Sequence, residues 1–70
     1  MNRAQAVALV KELVASELIE PSWISIQNVT NDLCKLKINI PVRKQEIRAF
    51  ILKNDLLLEE QEEYWLLSKN

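Results

Sequence analysis

The sequence has no glycine, no histidine and only one cysteine among its 70 residues. Without glycine, neither the mononucleotide nor the dinucleotide type of phosphate-binding glycine loop can form. Without histidine, a zinc site of the usual Cys/His kind and a His-based catalytic triad are excluded. Cys34 cannot form an internal disulfide, and with no base to activate it we interpret it as a small buried side chain. We therefore predict neither catalysis, nor a metal or cofactor, nor a small-molecule substrate.

Long hydrophobic runs are also missing. No apolar stretch approaches the roughly 20 residues that span a bilayer. Lys11 and Glu12 interrupt the N-terminal segment, where a signal peptide needs an unbroken apolar core. We therefore expect a cytoplasmic location and no membrane partner. The length predicts one domain over residues 1–70, and an apolar fraction of 49 % in so small a domain favours a protein partner or a homo-oligomer.

The N-terminal segment predicts a helix over residues 3–18. Its apolar residues recur at three- and four-residue spacing: Ala6, Leu9, Val10, Leu13 and Val14. Asn2 can cap the helix, Gln5 completes a capping-box pattern, and Pro21 is expected to end it. Val7 widens the apolar surface, so one edge of the helix can also pack on a second chain.

Two segments in the middle of the chain predict an antiparallel hairpin with its turn at residues 30–32. Its inner face is predicted to carry Ile24, Ile26, Leu36 and Ile38. Alternation places Lys35 and Lys37 on the opposite face. Trp23 has the opposite strand parity from its isoleucine neighbours, so we predict it on that outer face beside the two lysines.

A second helix is predicted over residues 43–53, with a buried stripe made by Ile47, Phe50 and Ile51. The basic residues lie on its other side: Arg43, Lys44 and Arg48.

The C-terminal segment favours two strands, at residues 56–59 and 63–67, joined by a solvated acidic turn. Continuation as a helix over residues 59–67 is the alternative. Trp65 has the opposite parity from Tyr64 and Leu66, and we predict it on a sheet face that the helices leave uncovered. The expected fold class is α+β, in the order α-β-β-α-β-β, with both helices on one face of a small antiparallel sheet.

Charge is concentrated in one part of the chain. Residues 34–54 hold six of the nine basic residues against one acid, a local charge of +5, whereas the rest of the chain carries -6. Such a segment either binds a partner or faces the protein's own acidic end.

We predict a non-enzymatic protein-interaction module that self-associates. Nucleic-acid binding through residues 35–53 is the alternative. The candidate interaction residues are Trp23, Lys35, Lys37, Arg43, Lys44, Arg48 and Trp65.

The stretch "VRKQEIRAFILKNDLLLEEQEEYWLLS" resembles the last helix and wing of a winged-helix domain. It covers residues 42–68, which is 27 of the 70 residues. The resemblance implies a three-helix bundle with a DNA-contacting wing. This chain departs from the pattern, because acids stand in the wing where Arg or Lys would contact DNA: Glu59, Glu60, Glu62 and Glu63.

Overall fold

The computed structural model describes residues 1–39 and 44–69, without the side chain of Lys44. Over these residues two α-helices and four strands follow in the predicted order: α1 (Arg3–Ala15), β1 (Ile24–Asn28), β2 (Cys34–Asn39), α2 (Lys44–Lys53), β3 (Leu57–Glu60) and β4 (Tyr64–Ser68). The strands form one antiparallel sheet in the order β1-β2-β4-β3. The predicted α+β class and the two C-terminal strands are confirmed, and the helical alternative for residues 59–67 is wrong.

The start of α1 is capped as the sequence predicts. The Asn2 side-chain oxygen accepts a hydrogen bond from the Gln5 backbone N–H at 2.8 Å. The Gln5 side-chain oxygen accepts in turn from the Asn2 backbone N–H at 3.0 Å. This reciprocal pair satisfies two backbone donors that a helix start otherwise leaves without partners.

The end of α1 differs from the prediction, because the helix ends at Ala15 rather than at residue 18. Glu17 adopts the left-handed backbone conformation with φ of 62°, which stops the helix before Pro21. The Ser16 hydroxyl donates to the Leu13 carbonyl at 2.8 Å and satisfies one acceptor of the last turn. Apolar spacing cannot reveal this end, since Leu18 keeps the helical period.

The end of α2 is a tight turn built without glycine. Asp55 has φ of 53°, and the Leu56 backbone N–H donates to the Ile51 carbonyl at 3.0 Å. Both Leu56 and Ile51 are buried, which is the apolar contact that accompanies this type of helix end. An aspartate therefore occupies a position that favours glycine.

We expect Asp55→Gly to raise the free energy of unfolding by about 0.5–1 kcal/mol. A left-handed conformation costs an L-residue about 1–2 kcal/mol, and the greater freedom of glycine in the unfolded chain offsets part of that gain. Ala49→Gly, at an exposed position inside the helix, is the matched control and should lower stability by about 1 kcal/mol. Urea denaturation followed by circular dichroism measures both, and equal losses from the two variants would contradict the assignment.

Both helices pack on one face of the sheet. α1 lies over β1 and β2, whereas Arg48 of α2 reaches Glu60 of β3 and the Trp65 ring of β4. The predicted stripe of α2 is buried, and so is the inner face of the sheet: Ile24, Leu36, Ile38, Ile47, Phe50, Ile51, Trp65 and Leu67. Leu36 and Ile38 pair with Leu67 and Trp65 across the central strands, so this face is a continuous apolar surface.

The predictions for the two tryptophans were wrong about their location. Trp65 is 2 % exposed, because its register with Ile38 places it on the helix-covered face. Trp23 is half-buried against the core and lies in a short 3-10 turn, Pro21–Trp23, before β1 begins. Proline favours the first position of such a turn. Strand alternation therefore does not apply to Trp23.

The resemblance to a winged-helix domain does not extend to the fold. In the described part of the chain there are two α-helices, not three, and the β3–β4 hairpin belongs to the four-stranded sheet. None of the helices described here has the length and apolar character needed to cross a membrane.

Candidate functional site

The basic segment faces the protein's own acidic residues. Ion pairs among the described residues connect them: Lys35 Nζ to Glu59 at 3.9 Å, Arg48 to Glu60 at 2.6 Å, and Lys53 Nζ to Glu12 at 3.7 Å. Pairs of this exposed kind contribute at most about 1 kcal/mol each. In two of these pairs, however, basic residues that the sequence analysis assigned to contact between two copies bind the acidic C-terminal segment of their own chain. The second of the two sequence interpretations, contact with the protein's own acidic end, therefore applies to Lys35 and Arg48, whereas Lys53 pairs with an acid of α1.

In the described part of the chain, two cations also pack on aromatic rings. The Arg48 guanidinium lies 5.2 Å from the centre of the Trp65 ring, and Lys37 Nζ lies 4.6 Å from the centre of the Tyr64 ring. Both distances are within the range of a cation–π contact. Arg48 thus covers the edge of the core, while Lys37 and Tyr64 form a pair on the opposite face of the sheet.

The outer face of the sheet carries Lys35 and Lys37 as predicted. Its members alternate with the buried residues: Ser25, Gln27, Lys35, Lys37, Asn39, Leu57, Glu59, Tyr64, Leu66 and Ser68. No described element packs over them. The structure does not bring the two tryptophans or Arg48 to this face, and Arg43 and the side chain of Lys44 lie outside the described residues.

The two edge strands differ in charge. β3 carries Glu59 and Glu60 and leads into an acidic turn, whereas β1, Ile24–Asn28, has no charged residue. Charged side chains on an edge strand discourage pairing with a further strand, and an uncharged edge leaves that pairing available. β1 is therefore the edge better suited to strand addition.

The backbone of β1 presents hydrogen-bonding groups toward the outside of the sheet. The Val29 N–H donates to the Leu33 carbonyl at 2.9 Å, which fixes the alternation of bonded pairs along the hairpin. Ser25 and Gln27 consequently bond to β2, and the N–H and C=O groups of Ile24, Ile26 and Asn28 point away from it. No described strand pairs with β1 on that outer edge.

A stripe of valines on α1 lies above the same edge. Ala6, Leu9 and Leu13 define the buried side of α1. Glu12 reaches Lys53 of α2 on one flank. The helical period of 3.6 residues places the half-buried Val7, Val10 and Val14 together on the opposite flank, away from α2. The exposed Arg3 lies on the same flank, one turn before Val7 and close to Asn28. We call the outer edge of β1 together with these three valines the β1 side.

Sequence analysis identified the helix part of the β1 side, the α1 edge that Val7 widens, but not the edge strand. It placed Ile26 in the core, but Ile26 sits on an edge strand and is half-buried. One signal could have pointed to β1: the absence of charge in "ISIQN" compared with "LLEE". Strand order decides which strand is an edge, and that signal does not contain it.

Open grooves in the described residues include one of about 250 Å³ between the helices, lined in part by Glu12, Phe50 and Lys53. Another, of about 430 Å³, lies beside the hairpin turn and is lined by Arg3, Asn28 and residues 29–31. Cys34 is buried, and its thiol donates to the Asn28 side-chain oxygen at 3.4 Å. No group of three or more metal-ligating residues occurs in this part of the chain.

Comparison with protein-family models, curated proteins and solved structures finds no match to the chain.

Proposed function

We propose that this chain is a small, non-enzymatic protein-interaction module that binds a second copy of itself. The observation that carries the proposal is the β1 side, where an uncharged edge strand lies beside a half-buried valine stripe. Backbone groups on such an edge can bond to a further strand, and the valines supply apolar area to bury. Binding of this kind needs neither a catalytic group nor a cofactor.

The internal ion pairs change how self-association is expected to work. The sequence favoured attraction between a basic face and an acidic tail, with tryptophans supplying affinity. Lys35, Arg48 and Lys53 are instead paired within the chain, and Trp65 is buried. The proposal therefore depends on backbone hydrogen bonds and apolar contact rather than on charge.

We expect sedimentation velocity to show a monomer–dimer equilibrium with a dissociation constant in the micromolar range, about 1–100 µM. The β1 side spans about 17 Å along the strand and about 20 Å along the helix, which is small for a stable interface. Raising sodium chloride from about 50 to about 500 mM should change the constant less than about threefold, because few charges take part. A strictly monomeric chain at about 500 µM would reject self-association, and loss of the dimer in high salt would restore the charge-based explanation.

A second candidate function, binding of single-stranded nucleic acid, is favoured by one observation. Lys37 and Tyr64 lie together on the outer face, and Lys35 is nearby on the same strand. Basic residues beside an aromatic on a sheet are used to stack bases and contact phosphates. The ion pair between Lys35 and Glu59 weakens this surface.

If the outer face binds nucleic acid, a mobility assay with single-stranded DNA and RNA should show binding at about 50 mM salt that is lost by about 200 mM. Lys37→Glu should abolish it, and Arg3→Glu, on α1, should not. Absence of binding at low salt, or equal loss in both variants, would eliminate this function.

A further inference from the structure

We infer that the second copy docks with its β1 antiparallel to the first β1, about a two-fold axis at Ile26, so that the two sheets join into one sheet of eight strands. This inference rests on the proposed self-association and specifies its geometry. A closed two-fold interface uses the same surface on both copies, so that surface must be complementary to itself. The β1 side meets this requirement in its backbone, its side chains and its helix.

The backbone groups of β1 match in this register. The Ile26 N–H of each copy donates to the Ile26 carbonyl of the other, which gives two hydrogen bonds at the axis. Asn28 of each copy and Ile24 of the other exchange both N–H···O bonds, which gives four more. These are the groups that the hairpin alternation directs away from β2.

The side chains also match. Ser25 lies opposite Gln27 of the second copy on the outer face, and both are polar and neutral. The two Ile26 side chains meet on the inner face, where each is half-buried in a single copy. The strand side chains therefore place no charge against another across the axis.

The other edge is not complementary to itself. Pairing of β3 with β3 would place four carboxylates, Glu59 and Glu60 of each copy, on two adjacent strands. Like charges directly opposite each other are destabilising, which disfavours every β3 register that sets these residues against each other. β1 has no charged residue and meets this repulsion in no register.

The helices add to the same interface. A two-fold axis between antiparallel strands is perpendicular to the sheet, so both copies of α1 lie on the same side of the joined sheet. Each α1 lies over β1 and β2, and its valine flank faces away from α2. Val7, Val10 and Val14 of the two copies thus face each other above the axis, and their contact covers apolar area that is half-exposed in one copy.

Disulfide cross-linking tests the register. Ile26→Cys should give a disulfide-linked dimer under mild oxidation, because hydrogen-bonded partners in antiparallel strands have Cα atoms about 5.5 Å apart. Ser25→Cys and Gln27→Cys should not link when each is oxidised alone. The reason is that each position lies diagonally across from the same position in the second copy, at a distance of about 7–8 Å. An equal mixture of these two variants should link, because the two positions are directly opposite. The unchanged protein, with its buried Cys34, is the blank.

The outcomes separate the register from self-association itself. Linking of Ser25→Cys alone or Gln27→Cys alone, without Ile26→Cys, would overturn the register while keeping the dimer. Absence of links in every variant, together with a dimer in sedimentation, would place the interface elsewhere on the surface. Absence of links in a monomeric chain would overturn the register and the proposed function together.

A pair of neighbouring substitutions tests the helix. Val7→Glu places a charge on the valine flank, and we expect it to weaken the dimer at least about tenfold. Ala8→Glu adds the same charge to the same helix on its exposed face and should leave the dissociation constant unchanged. Equal effects of the two variants would remove α1 from the interface. Circular dichroism must show the same helix content in both.

Discussion

Replacing Trp65 with alanine is expected to remove about a third or more of the protein's free energy of unfolding. Trp65 is 2 % exposed at the centre of the core, and truncating a buried tryptophan costs about 3–5 kcal/mol. A chain of this size has a free energy of unfolding of only about 4–10 kcal/mol. The variant also removes the ring on which Arg48 packs. Urea denaturation followed by far-ultraviolet circular dichroism should show the loss directly.

The adjacent aromatic residue provides the control. Tyr64 lies on the outer face beside Lys37 and is half-buried, so we expect Tyr64→Ala to cost about 1 kcal/mol or somewhat more. Trp65→Phe keeps an apolar ring in the core and should fold, with a smaller loss than Trp65→Ala. A stable, folded Trp65→Ala protein with altered self-association would instead restore the sequence-based view that Trp65 is an interface residue.

Replacing Ile26 with lysine is expected to make the protein monomeric, with the dissociation constant raised by at least about a hundredfold. The two-fold axis would bring the new charge against the same charge of the second copy, and an inward-pointing charge on an edge strand is a known barrier to strand addition. The long aliphatic stem of lysine can still cover the edge of the core, so the fold should persist with a moderate loss of stability.

The matched control is the same substitution on the other edge. Leu57 in β3 is 50 % exposed, and Leu57→Lys should leave the dimer intact. Sedimentation of both variants at equal concentration gives the comparison, and chemical denaturation verifies that each is folded. If Leu57→Lys dissociates the dimer and Ile26→Lys does not, the interface lies at β3 and the proposed geometry is wrong.

Much of the fold could be predicted from the sequence because its apolar spacing is regular. Alternation in β2 and the stripe of Ile47, Phe50 and Ile51 in α2 each indicated a single buried face, and these faces meet in the core. Asn2 and Gln5 indicated the start of α1 by a local hydrogen-bonding pattern that needs no tertiary contact. Local signals of this kind are sufficient for element type and order.

The tryptophans show where local signals fail. In β4 both faces carry apolar residues, so parity separates Trp65 from Tyr64 without saying which of them is buried. Pairing with Ile38 in β2 decides it, and that register is a long-range contact. Trp23 was misplaced for a different reason, because the turn at Pro21 takes it out of the strand.

The candidate site could be predicted only in part, for the same physical reason. Charge counting identified the basic segment but could not show that Lys35, Arg48 and Lys53 have acidic partners within the chain. The β1 side depends on strand order, which places β1 at an edge, and on the position of α2, which leaves the valine flank of α1 uncovered. Both follow from tertiary packing rather than from any single segment.

Amide hydrogen exchange measured by NMR at several protein concentrations tests the central proposal most directly. In one copy the N–H groups of Ile26 and Asn28 point out of the sheet at β1, and by the same alternation those of Leu58 and Glu60 point out at β3. We predict that exchange at Ile26 and Asn28 slows as concentration rises through the dissociation constant, while exchange at Leu58 and Glu60 stays fast. Fast exchange at Ile26 and Asn28 at every concentration, or protection at Leu58 and Glu60 instead, would contradict a dimer formed through β1.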